Sequence, residues 1–299
     1  MHPTNSTDNR RPQPASTAHK FLSLDGMRVF YREAGTPGAP VVLLPHGYPC
    51  SSYQYRNLMP LLSDRWHLLA PDYPGFGYSD TPASFNYGFD GYCEFLDRFT
   101  RQLGVSSYVL YLHDYGSQIG LRLAIRAPER VRGLIIQNGD IYEDVLGPKY
   151  GGLKQHWRNP NEDTWAKLRQ AVSEEGFRHE FIGEVRPELA DRIPPDLWRL
   201  SWSQMTPQRE GIMLKLMEQL KDNLAWFPKY QAYLKEHQPP TLILWGPQDG
   251  YMPEASGRAY LRDLPRADLH FIDSGHWLLE THLQQAAVLI RQHLERIDG

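Results

Sequence analysis

Cysteine is almost absent: Cys50 and Cys93 are the only two in 299 residues, so at most one disulfide could form. A chain this long has no need of such a staple, and both thiols are expected to be reduced in a cytoplasmic protein. Long apolar runs are missing too. Stretches such as Val41-Val42-Leu43-Leu44 fall far short of the roughly 20 residues that cross a bilayer, which excludes a membrane protein. No excess of positive charge exists: Lys and Arg number 32 against 35 Asp and Glu, a net charge of −3. Without a cationic field there is nothing to hold a nucleic-acid backbone or an anionic lipid surface. Residues 1–18 are polar and Pro/Ser/Thr-rich with no apolar h-region, which predicts a flexible N-terminal tail rather than a secretion signal.

What is present is alternation. Short β-rich runs at 28–34, 40–45, 66–71, 107–113, 132–137, 240–245 and 267–272 are interleaved with segments of helical spacing, such as 89–104 with Phe89, Cys93, Leu96 and Phe99, and Ser117 to Ala127. Continuous apolar strands separated by helices predict an α/β fold: a mostly parallel sheet covered on both faces. From 141 to 238 no strand signal appears, and the sequence reads as helices broken by Pro160, Pro187, Pro194-Pro195, Pro207 and Pro228. This predicts a helical cap over 141–238 inserted into a core formed by 19–140 and 239–299. Five of the eight tryptophans lie in the cap, and Trp157 and Trp226 are the candidates for a substrate pocket beneath it.

In an open parallel sheet, reactive groups gather beyond the carboxyl ends of the strands. The run at 107–113 leads into Leu112-His113-Asp114-Tyr115-Gly116-Ser117, the form of a strand-turn-helix elbow that projects its central side chain into a pocket. That side chain is a carboxylate, which can displace a leaving group at saturated carbon and be released when water cleaves the resulting ester. The plainer alternative is an Asp114 that caps the following helix. His46-Gly47-Tyr48-Pro49 follows the run at 40–45, where the Tyr48 and Tyr115 N–H groups could form an oxyanion hole. His46 is expected to organise its loop. His276 follows the last strand, and Asp249, after the run at 240–245, could orient it; Asp140 in Asn138-Gly139-Asp140 is the alternative acid. Asp249 is favoured because a matching loop and an adjacent glycine accompany it. Cys50 is expected to be a buried thiol, His113 a structural partner, and Arg126, Arg130 and Arg132 a solvated face.

Together these motifs resemble the α/β-hydrolase superfamily over about residues 20 to 298, in its aspartate-nucleophile branch of epoxide hydrolases and haloalkane dehalogenases. His46-Gly47-Tyr48-Pro49 is similar to the HGxP motif of epoxide hydrolases, and Asp72 with Gly75-Phe76-Gly77-Tyr78-Ser79-Asp80 to a shared scaffold segment. Cys50 to Asn57 looks dehalogenase-like, as does the elbow, where Leu112 stands in place of the first glycine of an epoxide-hydrolase elbow. The resemblance implies a Trp after the nucleophile and an Asn in the HGxP-like loop for a dehalogenase; here Tyr115 and Tyr48 occupy those positions. It implies lid tyrosines for an epoxide hydrolase, and of Tyr142, Tyr150, Tyr230 and Tyr233 the candidates are Tyr230 and Tyr150. The windows where these usually fall hold His156-Trp157 and Leu216 to Leu220. His156-Trp157 is also similar to the lid pair of fluoroacetate dehalogenases, but the elbow lacks that family's arginines.

The expectation is an epoxide hydrolase in which Asp114 is alkylated and His276, oriented by Asp249, activates water to release a vicinal diol. It would use no metal or other cofactor, take a small apolar substrate and water, and could form a homodimer. The alternatives are a haloalkane dehalogenase or another hydrolase of the superfamily, and, from a different class, a non-catalytic receptor using the lid pocket.

Overall fold

The computed structural model describes residues 16–299; the tail expected over 1–18 lies outside the described residues except at its last three positions. Its strands are β1 (Ala18–Leu24), β2 (Met27–Ala34), β3 (Val41–Leu43), β4 (His67–Pro71), β5 (Tyr108–His113), β6 (Val131–Gln137), β7 (Thr241–Trp245) and β8 (Asp268–Phe271). They form one sheet in the order β1-β2-β4-β3-β5-β6-β7-β8. From β4 to β8 every neighbouring pair is parallel, while β2 runs antiparallel to both β1 and β4.

β1 is an addition to the sequence expectation, which placed Ala18 in the tail. It is an edge strand with most side chains in solvent, so it lacks the apolar run that marks its neighbours. The signal that could have found it is Asp25-Gly26, whose φ values of 51° and 81° close a two-residue hairpin between Leu24 and Met27.

Successive side chains on a strand face opposite ways, and β5 shows the consequence. Leu110 and Leu112 join a core shared with Phe95, Phe99, Ile119 and Leu123 of the helices Phe89–Gln102 and Tyr115–Arg126. Val109 and Tyr111 join another, with Leu62, Ile290 and Leu294, the last two from the C-terminal helix Leu283–Asp298. Helices thus cover both faces, as expected of an α/β fold.

Between β6 and β7 the chain is helical, and this is the cap. Its principal helices are Tyr150–Arg158, Glu162–Ala171, Glu174–Ile182, Asp196–Ser203, Pro207–Leu224 and Phe227–His237. As the sequence predicts, Pro160, Pro187, Pro194-Pro195, Pro207 and Pro228 all fall where one helix gives way to the next; Pro187, Pro207 and Pro228 sit in the first turn of the following helix, where the missing N–H costs nothing. Cap residues Phe177, Phe181, Leu216 and Met217 belong to the same buried cluster as Leu110 and Leu112 of β5, so cap and sheet share one core.

Candidate active site

Five adjacent parallel strands end at one edge of the sheet, and the loops that follow β3, β5, β6, β7 and β8 carry Tyr48, Asp114, Asp140, Asp249 and His276. Asp114 sits between β5 and the helix Tyr115–Arg126 at φ 51° and ψ −130°, a conformation that L-residues adopt at a cost and that turns the side chain out of the strand direction. It stands at the N-cap position and its carbonyl accepts the Ser117 N–H at 2.9 Å, but its side chain makes no cap hydrogen bond and is left free to face the site. Two small residues make room for the turn. A Cβ at Gly47 would lie 2.6 Å from the Asp114 Cβ, so only glycine lets the loop after β3 approach. Gly120, one turn into the helix, lies against the Leu112 side chain, and its lack of a Cβ leaves room for that leucine.

The Asp114 carboxylate receives the Tyr48 N–H at 2.6 Å, and the Tyr115 N–H also favours its charged form. Burial works against that charge and, with the help of Glu180, pushes Asp114 up to about 6 even though His276 and the two N–H groups pull it down. His276 Nε2 stands 3.7 Å from Asp114 Oδ2, while its Nδ1 is 2.7 Å from Asp249 Oδ2. Burial disfavours the imidazolium, but Asp249, Asp114 and Glu180 outweigh it and raise His276 to about 9. Asp249 is itself held below its ordinary range: burial opposes its charge, and His276, the Met252 N–H and Asn138 Nδ2 overcome that. Its Oδ1 accepts the N–H groups of Tyr251 and Met252 at 2.9 and 3.0 Å.

A ring of supporting contacts fixes these parts. Gln54 accepts the Gly47 N–H through Oε1 and donates Nε2 to His113 Nδ1; His113 Nε2 then reaches the His276 carbonyl at 3.2 Å. His113 is fully buried, and that burial holds it well below its ordinary pKa, so it acts as a neutral strut. His46 bonds the Gly47 carbonyl through Nδ1 and receives the Tyr73 N–H at Nε2, with burial lowering it to about 3. Cys50 is a free thiol pushed by burial up to about 12, and Cys93 is also free and buried.

Above Asp114 lies a narrow cavity of about 30 Å³ lined by Tyr48, Tyr115, Tyr150, Tyr251, Glu180 and Met217, with Leu153, Leu220 and Met252 completing its apolar walls. Tyr48, Glu180, Met217 and Tyr251 also line an outer vestibule of about 350 Å³ that includes Lys149. Glu180 Oε2 is paired with Lys149 Nζ at 3.1 Å. The Tyr48 hydroxyl is buried and has no hydrogen-bond partner among the described residues.

Asp249 is the carboxylate bonded to His276, whereas Asp140, the alternative, is bonded to the Tyr150 hydroxyl at 2.6 Å. Tyr150 lines the cavity, but Tyr230 does not: it is fully buried, bonded to Arg122 and Asn223. The two pocket tryptophans are also corrections. Trp157 donates its indole N–H to the Met217 carbonyl, and Trp226 lies under the cations of Arg122 and Lys229, so neither lines the cavity. His156 is buried and bonded to Thr164 and Glu218, which makes it cap structure. Tyr251, Glu180 and Lys149 were not singled out in the sequence. Tyr251, two residues after Asp249, could have been found by position; Glu180 and Lys149 carried no motif. Among the described residues, no cluster of three or more His, Cys, Asp or Glu side chains could hold a metal ion, and no helix is long and apolar enough to cross a membrane.

The α/β-hydrolase fold family matches residues 40–283. The chain is similar to an uncharacterized hydrolase of Saccharomyces cerevisiae, YNR064C, with 34% identity over 274 residues that cover 89% of this chain and 92% of the yeast protein. It is similar to haloalkane dehalogenase 2 of Mycobacterium tuberculosis, with 37% identity over 231 residues, 74% of this chain and 75% of that protein. Among solved structures, haloalkane dehalogenase DbeA from Bradyrhizobium elkani superposes with a TM-score of 0.74 at 25% identity, covering 95% of this chain and 99% of the other. The protein belongs to the α/β-hydrolase family and, within it, to the haloalkane-dehalogenase-like branch. It is a hydrolase.

Proposed function

We propose that this hydrolase works through an alkyl ester on Asp114 and that its substrates are small apolar epoxides, which it converts to vicinal diols. The single observation that carries the choice of substrate is the cavity lining. Four phenols, Tyr48, Tyr115, Tyr150 and Tyr251, surround the space over Asp114, and among the described residues neither a tryptophan nor an asparagine side chain lines it. An opening epoxide produces an alkoxide that must be protonated as it forms, which O–H donors can do. Asp114 attacks one ring carbon, the C–O bond to that carbon breaks, and a phenol supplies the proton.

In the second half of the reaction the substrate is tied to Asp114 as an ester. Esterification removes the Asp114 charge, one of the anions that raise His276, so the imidazolium then loses its proton more readily. Neutral His276, held by Asp249, takes a proton from water, which attacks the ester carbonyl. The oxyanion forms where Asp114 Oδ1 now receives the Tyr48 N–H, beside the Tyr115 N–H. Collapse releases the diol and restores the carboxylate.

The similarity to a haloalkane dehalogenase supports a second reading, in which the same carboxylate displaces halide from a small haloalkane. A single turnover in oxygen-18 water tests what the readings share: label is expected in the Asp114 carboxylate, and its absence excludes the covalent route. Diol formation from styrene oxide set beside bromide release from 1-bromobutane separates them, with the diol expected to be the faster product.

A further inference from the structure

Asp140 and Tyr150 stand next to the line formed by Asp114, His276 and Asp249 without belonging to it. Asp140 is 1% exposed, and its two oxygens are differently engaged. Oδ1 accepts Gln118 Nε2 at 3.0 Å, and Oδ2 lies 2.6 Å from the Tyr150 hydroxyl. Gln118 is itself fixed, since its Oε1 accepts Asn223 Nδ2, and Asn223 Oδ1 in turn accepts Arg122 Nη2 at 2.8 Å and the Tyr230 hydroxyl at 2.9 Å. A chain of buried polar groups therefore clamps one oxygen of Asp140 and aims the other at a phenol that lines the cavity over Asp114. This arrangement engages an acid that no step of the ester chemistry uses.

We infer that Tyr150 and Asp140 form a proton relay for the leaving oxygen, Tyr150 touching the substrate and Asp140 serving as the proton store behind it. The inference rests on the epoxide reading above and deepens it. As Asp114 bonds to the ring carbon and the C–O bond breaks, the Tyr150 proton passes to the alkoxide and the Asp140 carboxyl proton passes to the Tyr150 oxygen. The relay ends as a carboxylate and a neutral phenol. Ester hydrolysis gives carboxylate, alcohol and one proton, and that proton reloads Asp140, so the cycle balances without a further reagent.

The relay answers a physical difficulty. Burial raises the Tyr150 phenol well above its ordinary pKa, with the Asp140 charge adding to the shift, so a Tyr150 acting alone would leave a phenolate in a dry site. A carboxyl group behind it is the better acid. Burial, reinforced by Asp114 and Asp249, pushes Asp140 up to about 7, while its bond to Tyr150 pulls the other way. The titratable groups around it are Tyr150 from the cap, Asp114 from the elbow, Asp249 from the loop after β7, and Tyr260, whose hydroxyl bonds the Gly139 carbonyl. The loaded acid is thus present at neutral pH and is lost as pH rises through about 7.

Haloalkane displacement provides the control, because halide leaves without a proton. Asp140→Asn keeps a group of the same shape that can accept from Gln118 and donate to Tyr150, but it has no acidic proton to give. Rapid-quench intact-protein mass spectrometry would follow Asp114 alkylation by styrene oxide and by 1-bromobutane in wild type and variant. The expected result is at least a roughly 100-fold slower reaction with styrene oxide, loss of its decline at alkaline pH, and a change of no more than about threefold with 1-bromobutane. Tyr150→Phe should reproduce the selective loss and stands in if Asp140→Asn does not fold. Unchanged alkylation by styrene oxide, or equal slowing with both reagents, overturns the relay. A wild-type protein that styrene oxide never alkylates overturns the parent reading as well, and that failure is visible before any substitution is made.

Discussion

Asp249 Oδ2 lies 2.7 Å from His276 Nδ1 and 2.8 Å from Asn138 Nδ2, so one carboxylate oxygen fixes the imidazole while a neighbouring amide fixes the carboxylate. In the proposed mechanism this pair acts only after Asp114 has been alkylated. Asp249→Asn would place an amide opposite Nδ1, weaken the hold on the imidazole and remove the main anion that raises His276. Ester hydrolysis is expected to slow by about three orders of magnitude while alkylation continues, so the alkyl-enzyme should accumulate. Intact mass after mixing with substrate reads this directly; a variant that slows without gaining the adduct would contradict the assignment.

The acid side of the alkylation profile reports on Asp114. Burial raises this carboxyl to about 6, and only its ionised form can attack carbon, so alkylation should fall as pH drops through about 6. Glu180 is one of the anions that raise it, although a smaller influence than burial. Glu180→Gln is therefore expected to move the acid limb to lower pH. Alkylation by 1-bromobutane is the clean reporter, since no proton is transferred to its leaving group, and a limb that stays in place or moves upward would remove Glu180 from the electrostatics of the site.

The chain revealed its framework through periodicity and its reactive turns through position. Continuous apolar runs located β3 to β7 because those strands are largely buried on both faces, and the residues just past their ends could then be picked out; β8, a half-buried edge strand, carries a weaker run of the same kind. β1 escaped because an exposed edge strand needs no apolar run. The cap was legible as an insertion, but not its inner surface. Periodicity identifies the buried side of a helix without telling whether that side meets another helix or a cavity. Trp157 and Trp226 found partners elsewhere, while Leu153, Glu180 and Met217 came to face the cavity. Tyr48 and Tyr115 are motif residues, but that their phenols line the cavity depends on the packing of the cap and is not written in the motif.

Arg130 illustrates another limit, since local charge density suggested a solvated face. The side chain is instead buried, with Nη1 2.8 Å from Asp97 Oδ1 and Nη2 bonded to Thr100 Oγ1 and the Val105 carbonyl. Arg130→Met would leave the buried Asp97 with Arg101 at 3.0 Å and Arg126 at 3.7 Å, both more exposed partners. A loss of about 3 kcal/mol in unfolding free energy is expected, because an acid left in the interior without its buried cation keeps its desolvation cost. Urea denaturation measures the loss. Neither Asp97 nor Arg130 lines the cavity, so alkylation rates should be unchanged; a loss below about 1 kcal/mol would mean that the two exposed arginines suffice.

An ionised carboxylate held in this buried site, as the proposed mechanism needs, should itself reduce stability, and the sign follows from its titration. Asp114 is raised from an ordinary 3.8 to about 6 in the fold, so the folded state binds this proton more tightly than the unfolded chain does. That contribution to stability is complete below about 4 and is lost as pH rises through about 6. Above this window, ionisation costs the folded protein up to roughly 3 kcal/mol, the free energy that corresponds to the raised pKa. Asp114→Asn never ionises and should therefore be more stable than wild type at pH near 7.5, with an unfolding temperature higher by several degrees. Below pH about 4, where the wild-type carboxyl is neutral as well, the difference should shrink toward zero. Thermal unfolding of both proteins at the two pH values checks the argument, and an equal gain at both would assign the effect to relief of the backbone at Asp114 rather than to its buried charge.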